Sequence, residues 1–549
     1  MTSFPLKNHR GYPCPGRKIS ILSGPALLLF ALALLATATS FSQILSVDQS
    51  KRHLVTQDGK SFLMVGEAAW SLIAQLSDAD VDYYLQAAHN RGINVVLVNL
   101  IEHDFASNAP RNYYNQSPFS GTAFSSTPND AYFVHADHAI SSAAQFGIVV
   151  MLAPVYLGYA CGNEGWCAEV KNASASDMQS WGNYVGQRYA GYQNIIWVMG
   201  GDTDPTSVKS KVQAVVDGIK QYDMVHLFTA HNNSEQEAID PWSGATWLDI
   251  NNVYTYTSTL YQSCASAYRV SPTMPYFLIE AAYENEHSST QQQLRAQSYW
   301  TVLSGGIGHI FGNCPVWHFD SAPGWCNPSG WKNQMSSQGH RNLSYFHDLF
   351  VSRRWELLIP DTGHKALTAG YSSSTSYAAA AYSSDSSSII AYLPSSRSVT
   401  VDLSMVGGDS AAVWWYNPSN GSYSRNGTYA RTSRSFTPPG SGDWVLVVDN
   451  ENLYPGTSVP LTLGVNETRE TQVTLGGVYP NPFRSTLNIV SGKSQLVEVF
   501  DILGRRVYAR RMPDGQSTLT WTPRNLSYGV YFVRVGGAFV KPFKVLYAP

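Results

Sequence analysis

The sequence predicts an α/β protein with a (β/α)8 barrel, followed by two small antiparallel β-sandwich domains. Three observations predict this fold class. Between residues 43 and 354, short apolar segments alternate with segments whose apolar residues recur at helical spacing. From residue 355 onward the helical spacing stops, and short strand-like runs are separated by turns rich in Ser, Gly, Asn and Pro. A chain of 549 residues is also too long for one ordinary domain.

Eight apolar segments are candidates for the barrel strands. Several are apolar at every position, as expected of parallel strands that are covered on both faces. In chain order the candidates are Ser61–Gly66, Ile93–Leu100, Ile148–Pro154, Ile195–Met199, Leu227–Ala230, Val253–Tyr256, Phe277–Glu280 and His309–Phe311. Eight strand–helix units over about 300 residues match a TIM barrel. The alternative is an open doubly wound sheet, but no Gly-rich phosphate loop follows the first strand.

The intervening helices carry start and stop signals. Ser77 and Asp80 resemble a capping box, with Asp in place of the usual Glu. One apolar stripe follows them, formed by Val81, Tyr84, Leu85 and Ala88. Another helix is predicted to begin near Pro205, because proline is favoured in a first turn. A third helix is predicted to stop at Gly305 and Gly306.

Residues 355–450 and 475–549 predict the two β-sandwiches, and residues 451–474 read as a linker between them. Both segments alternate short strands with turn residues. The strand candidates of the first are Ser387–Leu393, Val399–Leu403, Ala411–Tyr416 and Asp443–Val448. Those of the second include Leu487–Val490, Leu496–Phe500 and Tyr531–Val535. We interpret the first sandwich as an accessory domain.

Residues 1–42 have the composition of a signal peptide. Arg10, Arg17 and Lys18 precede the apolar run Ile21–Ala36, and small residues follow at 36–40. The alternative is a membrane anchor, but the run is shorter than the about 20 apolar residues that span a bilayer. No later segment resembles a transmembrane helix, so the sequence predicts an exported chain.

Cysteine spacing and charge narrow the function classes. Export favours disulfides, and we expect Cys161–Cys167 and Cys314–Cys326 to pair within short loops, which leaves Cys264 free. A zinc site is less favoured because no Cys-x2-Cys spacing is present. The net charge is −3, and only 14% of the residues are charged. The sequence contains no cluster of basic residues, so no nucleic-acid partner is predicted.

Polar and aromatic residues follow the C-terminal ends of the predicted strands, where barrels of this kind carry their active sites. Asp202 follows strand 4, after Gly200 and Gly201, and Glu280 ends strand 7. The other candidates would bind a substrate or tune the two carboxylates, and they are Glu67, Trp70, His103, Tyr156, His231, Asn232, Tyr254, Tyr256, Tyr283, Glu284 and His309.

Two carboxyl groups that flank one bond indicate glycoside hydrolysis. One protonates the leaving oxygen, and the other attacks the anomeric carbon or activates water. Because strands 4 and 7 lie on opposing sides of a barrel mouth, we expect Asp202 and Glu280 to face each other across a sugar. Either residue alone is also typical of a turn or a helix cap. The prediction of catalysis therefore depends on their joint position after strands 4 and 7. Glu284 is the alternative to Glu280, and Asp204 the weaker alternative to Asp202.

Other reaction classes find less support in the residues. A metal site formed by Glu67, Asp104 and the histidines lacks metal-type spacing, and no cofactor is predicted. A Ser–His–Asp hydrolase would need a Gly-x-Ser-x-Gly turn after a strand, which is missing from the sequence. A non-catalytic surface protein that binds carbohydrate or matrix on an inherited barrel stays open as the alternative. An extracellular protease lacks a nucleophile or zinc motif.

Three strand-end motifs resemble the apiosidase-like glycoside hydrolases. They are Gly66-Glu-Ala-Ala-Trp70, Trp197-Val-Met-Gly-Gly-Asp202 and Ile279-Glu-Ala-Ala-Tyr-Glu284. The resemblance covers residues 45–350 and implies a clan-A-type barrel, with Asp202 as acid/base and Glu280 as nucleophile of a retaining enzyme. The family usually has Gly-Asp-Thr-Ala-Trp on strand 1 and often Gly-Glu-Pro on strand 7. Here Glu67 replaces the Asp of strand 1, and Ile279 and Ala281 flank Glu280. These departures bear on the identity of the sugar, which in the family is apiose, a branched pentose of plant pectin.

Two C-terminal segments also resemble known domains. Trp414-Trp-Tyr-Asn-Pro418 and Trp444-Val-Leu-Val-Val448 are similar to the β-sandwich labelled as collagen-binding that commonly follows this barrel. The motifs Tyr479-Pro-Asn-Pro482, Val499-Phe-Asp-Ile-Leu-Gly-Arg505 and Gly529-Val-Tyr-Phe-Val-Arg534 resemble the C-terminal sorting domain of type IX secretion. That resemblance implies a Bacteroidota-type source, the type IX machinery as a partner, and release or attachment at the cell surface. The predicted substrate is a plant or microbial polysaccharide or an oligosaccharide from one.

Overall fold

A computed structural model of the chain describes residues 44–321, 330–454, 477–479, 483–490, 496–502, 505–512, 518–524, 526–535 and 543–547. The chain divides into two compact units at residue 458. The predicted signal peptide (1–42), most of the predicted linker (451–474) and Cys326 lie outside the described residues. Among the helices of the described part, none is long and apolar enough to cross a membrane.

The first unit contains the predicted barrel. Its parallel strands β1–β8 are Met64–Ala68, Val95–Asn99, Val149–Ala153, Ile195–Gly200, Leu227–His231, Asn251–Tyr254, Tyr276–Glu280 and Gly308–Phe311. Neighbouring strands pair in parallel from β1 to β5 and from β6 to β8, and β8 pairs with β1. Every position of these strands is buried except Glu280. The continuously apolar segments therefore form strands covered on both faces, as predicted.

Between β5 and β6 the barrel is closed by hydrogen bonds from the side chain of Asn252. The Asn252 amide donates to Thr229 Oγ1 at 2.9 Å and to the Ala230 carbonyl at 2.6 Å. Just before β6, the backbone amides of Asp249 and Ile250 both donate to the Phe228 carbonyl. A buried asparagine thus joins the two strands where a regular ladder of backbone hydrogen bonds would otherwise close the barrel.

Outer helices α1–α7 cover the barrel, and they are Asp78–Asn90, Asp130–Gln145, Ala175–Tyr189, Lys209–Ile219, Leu260–Tyr268, Gln291–Leu303 and Gln338–Val351. The predicted cap of α1 is confirmed, because Ser77 Oγ accepts from the Asp80 amide at 3.2 Å. A short 3-10 turn, Pro205–Val208, precedes α4 at the predicted start.

The fifth strand–helix unit differs from the prediction. Residues 232–250 are all described, and they contain turns but no α-helix. Trp242 and Trp247 contact each other with ring centroids 5.0 Å apart, and Trp247 packs on Phe228 of β5. Two large indole rings therefore cover this part of the sheet, where a helix would do so in the other units.

The accessory β-sandwich follows the barrel within the same unit. Its strands β9–β17 are Leu358–Pro360, Leu367–Ala369, Ala379–Ser383, Ser388–Leu393, Val399–Asp402, Ala411–Tyr416, Tyr423–Tyr429, Ser433–Phe436 and Trp444–Asn450. One antiparallel sheet has the order β9-β11-β12-β17-β14-β15, and the other has the order β10-β13-β16. This is the antiparallel sandwich that the turn-rich composition predicts.

The sandwich and the barrel share one apolar core. Helix α6 is buried on nearly all of its faces, since the barrel covers one side and the sandwich the other. Tyr299 of α6 stacks on Tyr392 of β12 with centroids 4.8 Å apart. Arg295 binds Asp443 through two hydrogen bonds of 2.8 and 2.7 Å, and both side chains are buried. The barrel and the sandwich therefore pack together as one compact unit.

The second unit is a separate β-domain. Its strands β18–β24 are Gly477–Tyr479, Leu487–Val490, Leu496–Asp501, Arg506–Arg511, Thr518–Trp521, Gly529–Val535 and Phe543–Tyr547. They form two antiparallel sheets with the orders β18-β19-β22 and β21-β20-β23-β24. Val499, Trp521 and Val533 belong to a small core of its own. The predicted strands of this segment are thus observed.

We predict that Asp443→Asn destabilises the first unit strongly. The variant leaves the Arg295 guanidinium buried without its counter-charge, which costs about 3–5 kcal/mol of unfolding free energy. Urea unfolding of the full chain, followed by tryptophan fluorescence, measures the change. The control is Glu451→Gln, which breaks the more exposed pair with Arg425 at 3.0 Å and should cost less than about 1 kcal/mol. Equal effects of the two variants would contradict the shared core.

Candidate active site

The backbone turns sharply between β4 and Asp202. Gly200 and Gly201 have φ of +87° and +133°, and Asp202 itself lies in the left-handed region at +47°. A Cβ on Gly201 would approach Tyr156 Cδ2 to 2.5 Å, so this position requires glycine. The left-handed backbone at an aspartate costs about 1–2 kcal/mol. The strained turn directs Asp202 over the C-terminal mouth of the barrel.

His231, the last residue of β5, links Asp202 to Glu280. Its Nδ1 accepts from the Asp202 backbone amide at 2.7 Å, and its Nε2 lies 2.9 Å from Glu280 Oε2. Because a backbone amide can only donate, the proton of a neutral His231 sits on Nε2 and is donated to Glu280. The imidazole is buried. One ring therefore fixes both the turn that carries Asp202 and the carboxylate on β7.

Two tyrosines from the end of β6 complete the hydrogen bonds of the pair. Tyr254 Oη donates to Asp202 Oδ1, and Tyr256 Oη donates to Glu280 Oε1, each at 2.9 Å. Both oxygens of Glu280 thus accept from neutral donors, which suits a carboxylate. The ends of β4, β5, β6 and β7 each contribute to one connected cluster. The structure brings Asp202 and Glu280 together in the arrangement that the strand positions predict.

The two carboxyl groups have different environments. Burial and the charge of Glu280 raise the pKa of Asp202 to about 7. Asp202 therefore holds a proton for a large fraction of the time at neutral pH, next to a carboxylate that accepts two hydrogen bonds. A pair of titratable groups in unlike environments is the arrangement that separates an acid from a nucleophile or base.

Aromatic rings surround this cluster. Trp70, which follows β1, lies 5.5 Å from the rings of both Tyr156 and His231. Its indole Nε1 donates to Tyr283 Oη over 3.4 Å. Trp70, Tyr156 and Tyr283 are buried, whereas Tyr256 is half exposed. The predicted aromatic candidates thus lie around the pair, where ring faces can pack on a sugar.

Glu67 and His309 lie elsewhere. Both are buried and point from the strands toward the outer helices. Glu67 accepts from Tyr84 Oη at 2.9 Å and lies 2.6 Å from His340 Nε2. His309 Nε2 lies 3.0 Å from Ser298 Oγ, and burial lowers its pKa to about 3. The structure does not bring these two residues to the pair.

Glu284, the alternative to Glu280, lies at the N-terminus of α7. It accepts from the Gly339 amide at 3.0 Å and from Ser337 Oγ and Asn313 Nδ2 at 2.6 Å each. A carboxylate is favourable there because it compensates the unpaired amides and the positive end of the helix dipole. Asp204, the alternative to Asp202, caps the next turn by accepting from the Thr206 amide at 2.8 Å.

His103 and Asn232 have local partners. His103 Nε2 lies 3.2 Å from Glu169 Oε1, and its ring contacts Trp166 at 4.8 Å. The buried Asn232 amide donates to the carbonyls of Glu237 and Ala238 at 2.9 and 3.2 Å. Across the described residues, no group of three His, Cys, Asp or Glu side chains has metal-site geometry.

A disulfide-bonded loop supports Asp202 from the β3 side. Cys161 and Cys167 form the predicted bond, with Cα atoms 5.2 Å apart. Directly before Cys161, the Ala160 amide donates to the Asp202 carbonyl over 3.2 Å. Cys264 is free and buried, as expected, and burial raises the pKa of its thiol to about 12.

The structure also reveals site residues that sequence reasoning missed. Glu286 accepts from Trp317 Nε1 at 2.9 Å. Burial raises its pKa, and the charge of Glu280 acts in the same direction. The only sequence signal is a third acid shortly after strand 7, and nothing in its spacing separates it from a solvated loop residue. Trp317 follows β8, and its ring lies 5.1 Å from Phe105, which follows β2.

Three family models match the chain. Residues 48–356, more than half of the chain, match "Apiosidase-like, catalytic domain". Residues 359–449 match "Putative collagen-binding domain of a collagenase". Residues 477–540 match "Secretion system C-terminal sorting domain". The last match marks the chain for type IX secretion to the cell surface or the extracellular space.

Two solved structures share the fold. A glycoside hydrolase family 5 protein from Bacteroides vulgatus is 22% identical, with a TM-score of 0.67 over 74% of this chain and 93% of its own. A second structure, named glycoside hydrolase, is 21% identical, with a TM-score of 0.67 over 75% and 98% of the two chains. No curated protein matches the chain in sequence. These likenesses show the fold of glycoside hydrolase barrels.

We predict that Glu280→Gln lowers the pKa of Asp202 toward its ordinary value, because the variant removes the negative charge that opposes ionisation of Asp202. Carbon-13 NMR titration of aspartate carboxyls in the full chain measures the shift, and Asp202→Asn assigns the signal. The control is Glu169→Gln, which alters a half-buried carboxylate that pairs with His103 instead. An Asp202 titration that is the same in all three backgrounds would show that the carboxyls are not coupled.

Proposed function

This chain belongs to the apiosidase-like catalytic-domain family, and on that premise we propose that it is a secreted retaining glycoside hydrolase. Asp202 is the general acid/base and Glu280 is the nucleophile. The observation that carries the proposal is the single imidazole of His231, bonded to the Asp202 amide and to the Glu280 carboxylate. Its substrate is a glycosidic bond in a plant or microbial polysaccharide.

In the first step, Glu280 attacks the anomeric carbon of the bound sugar. Asp202 donates its proton to the leaving oxygen as the glycosidic bond breaks, and a covalent glycosyl ester forms on Glu280. His231 and Tyr256 orient the attacking carboxylate through its two oxygens. The raised pKa of Asp202 supports this assignment, since a donor must still hold its proton when the sugar binds.

In the second step, Asp202 reverses its role. The ester on Glu280 is uncharged, so the repulsion that raised the pKa of Asp202 is removed and the carboxylate form becomes favoured. Asp202 then takes a proton from a water molecule that attacks the anomeric carbon, which releases the sugar and restores Glu280. The negative charge of Glu280 thus favours the protonated form of Asp202 before the first step. Loss of that charge in the ester favours the carboxylate form of Asp202 before the second step.

The two-carboxylate distance rule separates this mechanism from inversion. Retaining pairs are about 5–5.5 Å apart, whereas inverting pairs leave about 6.5–9.5 Å for a water. The charge of Glu280 acts on Asp202, and His231 contacts both residues, so the two carboxyls lie near each other. We propose the retaining arrangement from the family resemblance together with this proximity. We propose apiosidase-like specificity from the family alone. The departure at Glu67 bears little on it, because Glu67 contacts outer helices rather than the pocket.

We predict that Asp202→Asn and Glu280→Gln each lower kcat/KM at least about a thousandfold, within the range of acid–base contributions. Both variants keep the shape of the side chain, so circular dichroism and the urea midpoint should be close to those of the original chain. The assay is hydrolysis of a plant and bacterial polysaccharide panel by the full chain.

Asp204→Asn is the matched control for this pair, since Asp204 lies two residues away, caps a turn and accepts from Gln236 rather than contacting Glu280 or His231. It should retain activity within about threefold, as an aspartate-to-asparagine cap change costs little. If both catalytic variants keep normal activity, the assignment is wrong. Binding of glycans without turnover by the original chain would favour the non-catalytic alternative.

We predict a basic limb near pH 7 in the profile of kcat/KM. Asp202 donates only when protonated, so activity falls as pH rises through its pKa of about 7. Tyr254 donates to Asp202 and lowers that pKa, so Tyr254→Phe should move the limb to higher pH. The control is Tyr256→Phe, because Tyr256 donates to Glu280 instead. A limb that stays in place in Tyr254→Phe would exclude Asp202 as its source.

A further inference from the structure

We propose that Glu286 binds hydroxyl groups of the sugar, and that the carboxylates around this pocket make it select a neutral sugar ring over a uronic acid. The proposal rests on the proposed function and adds a residue that determines which sugars the site accepts. It is carried by the hydrogen bonds of Glu286, by the loop that holds it, and by the kind of donors that the surrounding carboxylates have.

Within the described part of the chain, one carboxylate oxygen of Glu286 has no hydrogen-bond partner. Its Oε1 accepts from Trp317 Nε1 at 2.9 Å, and this is the hydrogen bond that its side chain makes within the described residues. Glu286 is half-buried, so its other oxygen is open to a ligand. The indole is a single uncharged donor that orients the carboxylate without neutralising it. A sugar hydroxyl is the neutral donor that such an oxygen accepts in a pocket.

The loop that carries Glu286 is held in a costly conformation. Asn285, His287 and Ser288 all lie in the left-handed region, with φ of +67°, +48° and +58°. Such residues cost about 1 kcal/mol or more each and persist where the surroundings hold them. The Asn285 amide donates to the Cys314 carbonyl at 2.9 Å and to Gln334 Oε1 at 3.1 Å. The orientation of Glu286 is therefore built into the fold.

Glu286 lies in the same space as the catalytic pair. Burial raises its pKa, and the charge of Glu280 adds to that effect. The Trp317 ring lies 5.1 Å from Phe105, and Phe105 lies 6.2 Å from Tyr156. Tyr156 in turn contacts Trp70, whose ring lies 5.5 Å from His231. These contacts form a continuous aromatic wall from the Glu286 side of the pocket to the Asp202 side.

The carboxylates of the pocket have neutral donors. Tyr254 donates to Asp202, and both Tyr256 and His231 donate to Glu280. Trp317 donates to Glu286. The Tyr159 amide donates to Glu164, and the charge of Glu164 raises the pKa of Asp202. The exposed His287 lowers the pKa of Glu286, but it contributes less than burial, Trp317 or Glu280.

Sites that bind a carboxylated ligand usually offer it an arginine or lysine, and in the described residues neither type pairs with these four carboxylates. A uronate would bring one more negative charge into this half-buried, low-dielectric pocket. A neutral ring brings hydroxyl donors instead.

The test compares pairs of 4-nitrophenyl glycosides that differ only at C6, which is a hydroxymethyl group in one member and a carboxylate in the other. The pairs are galactoside with galacturonide and glucoside with glucuronide, and neutral pentosides are added. The full chain should prefer the neutral member at least about a hundredfold in kcat/KM. Glu286→Gln keeps one oxygen that can accept from Trp317 but removes the charge, so this preference should shrink about tenfold. Glu286→Ala also loses the hydroxyl contact, so KM for the neutral sugar should rise about tenfold, with kcat changed less than about threefold.

The matched control is Glu237→Gln. Glu237 is also half-buried with a raised pKa and accepts from neutral donors, among them the Asn251 amide at 2.7 Å, but its contacts lie away from Asp202 and Glu280. It should leave preference and KM unchanged. Unchanged KM and unchanged preference in both Glu286 variants would overturn this proposal while leaving the glycosidase assignment intact.

Calorimetry of neutral monosaccharides with the full chain separates the two proposals when no glycoside is hydrolysed. Sugar binding that is lost in Glu286→Ala would support the role of Glu286 although the hydrolase assignment fails. A chain that neither binds nor cleaves any neutral sugar, or one that prefers the uronides, overturns the inference.

Discussion

The imidazole of His231 is the constraint on which the candidate site depends. A buried ring with both nitrogens engaged has one tautomer and one orientation, so it acts as a rigid spacer. It sets the turn after β4 relative to the end of β7, and thereby places Asp202 relative to Glu280. Shifting either strand by one residue would leave a buried nitrogen without a partner, which costs about 1–3 kcal/mol. The strand register and the chemistry of the site are thus enforced by the same two hydrogen bonds.

The parts of the fold that depend on local patterns were predictable. Continuously apolar segments predict buried parallel strands, and chain order alone places Asp202 and Glu280 at the mouth of the barrel. The facing of individual strand residues was not predictable, because a strand that is apolar throughout gives no alternation from which to read its two faces. Glu67 and His309 therefore looked like candidates at the mouth, although both point into the layer between strands and helices.

Other features depend on partners that are distant in sequence. Glu284 resembled a catalytic residue because its partner, the N-terminus of α7, begins more than fifty residues later. Glu286 was missed because its direction is set by left-handed, non-glycine residues, which no propensity scale foresees. The helix expected between β5 and β6 is replaced by two tryptophans, whose packing on Phe228 is a tertiary effect. In each case a contact between distant segments overrides a local signal.

The shared core of barrel and sandwich has a consequence for biosynthesis. Synthesis proceeds from the N-terminus, so the barrel strands leave the ribosome while the sandwich is still unmade. Until β12 and β17 arrive, helices α6 and α7 must expose the apolar faces that the sandwich finally covers. A nascent chain in that condition exposes the kind of apolar surface that favours aggregation and that chaperones bind. The barrel can therefore complete its packing only after the residues of the accessory β-sandwich have been synthesised. The position of the sandwich in the chain thus sets when the first unit reaches its final fold.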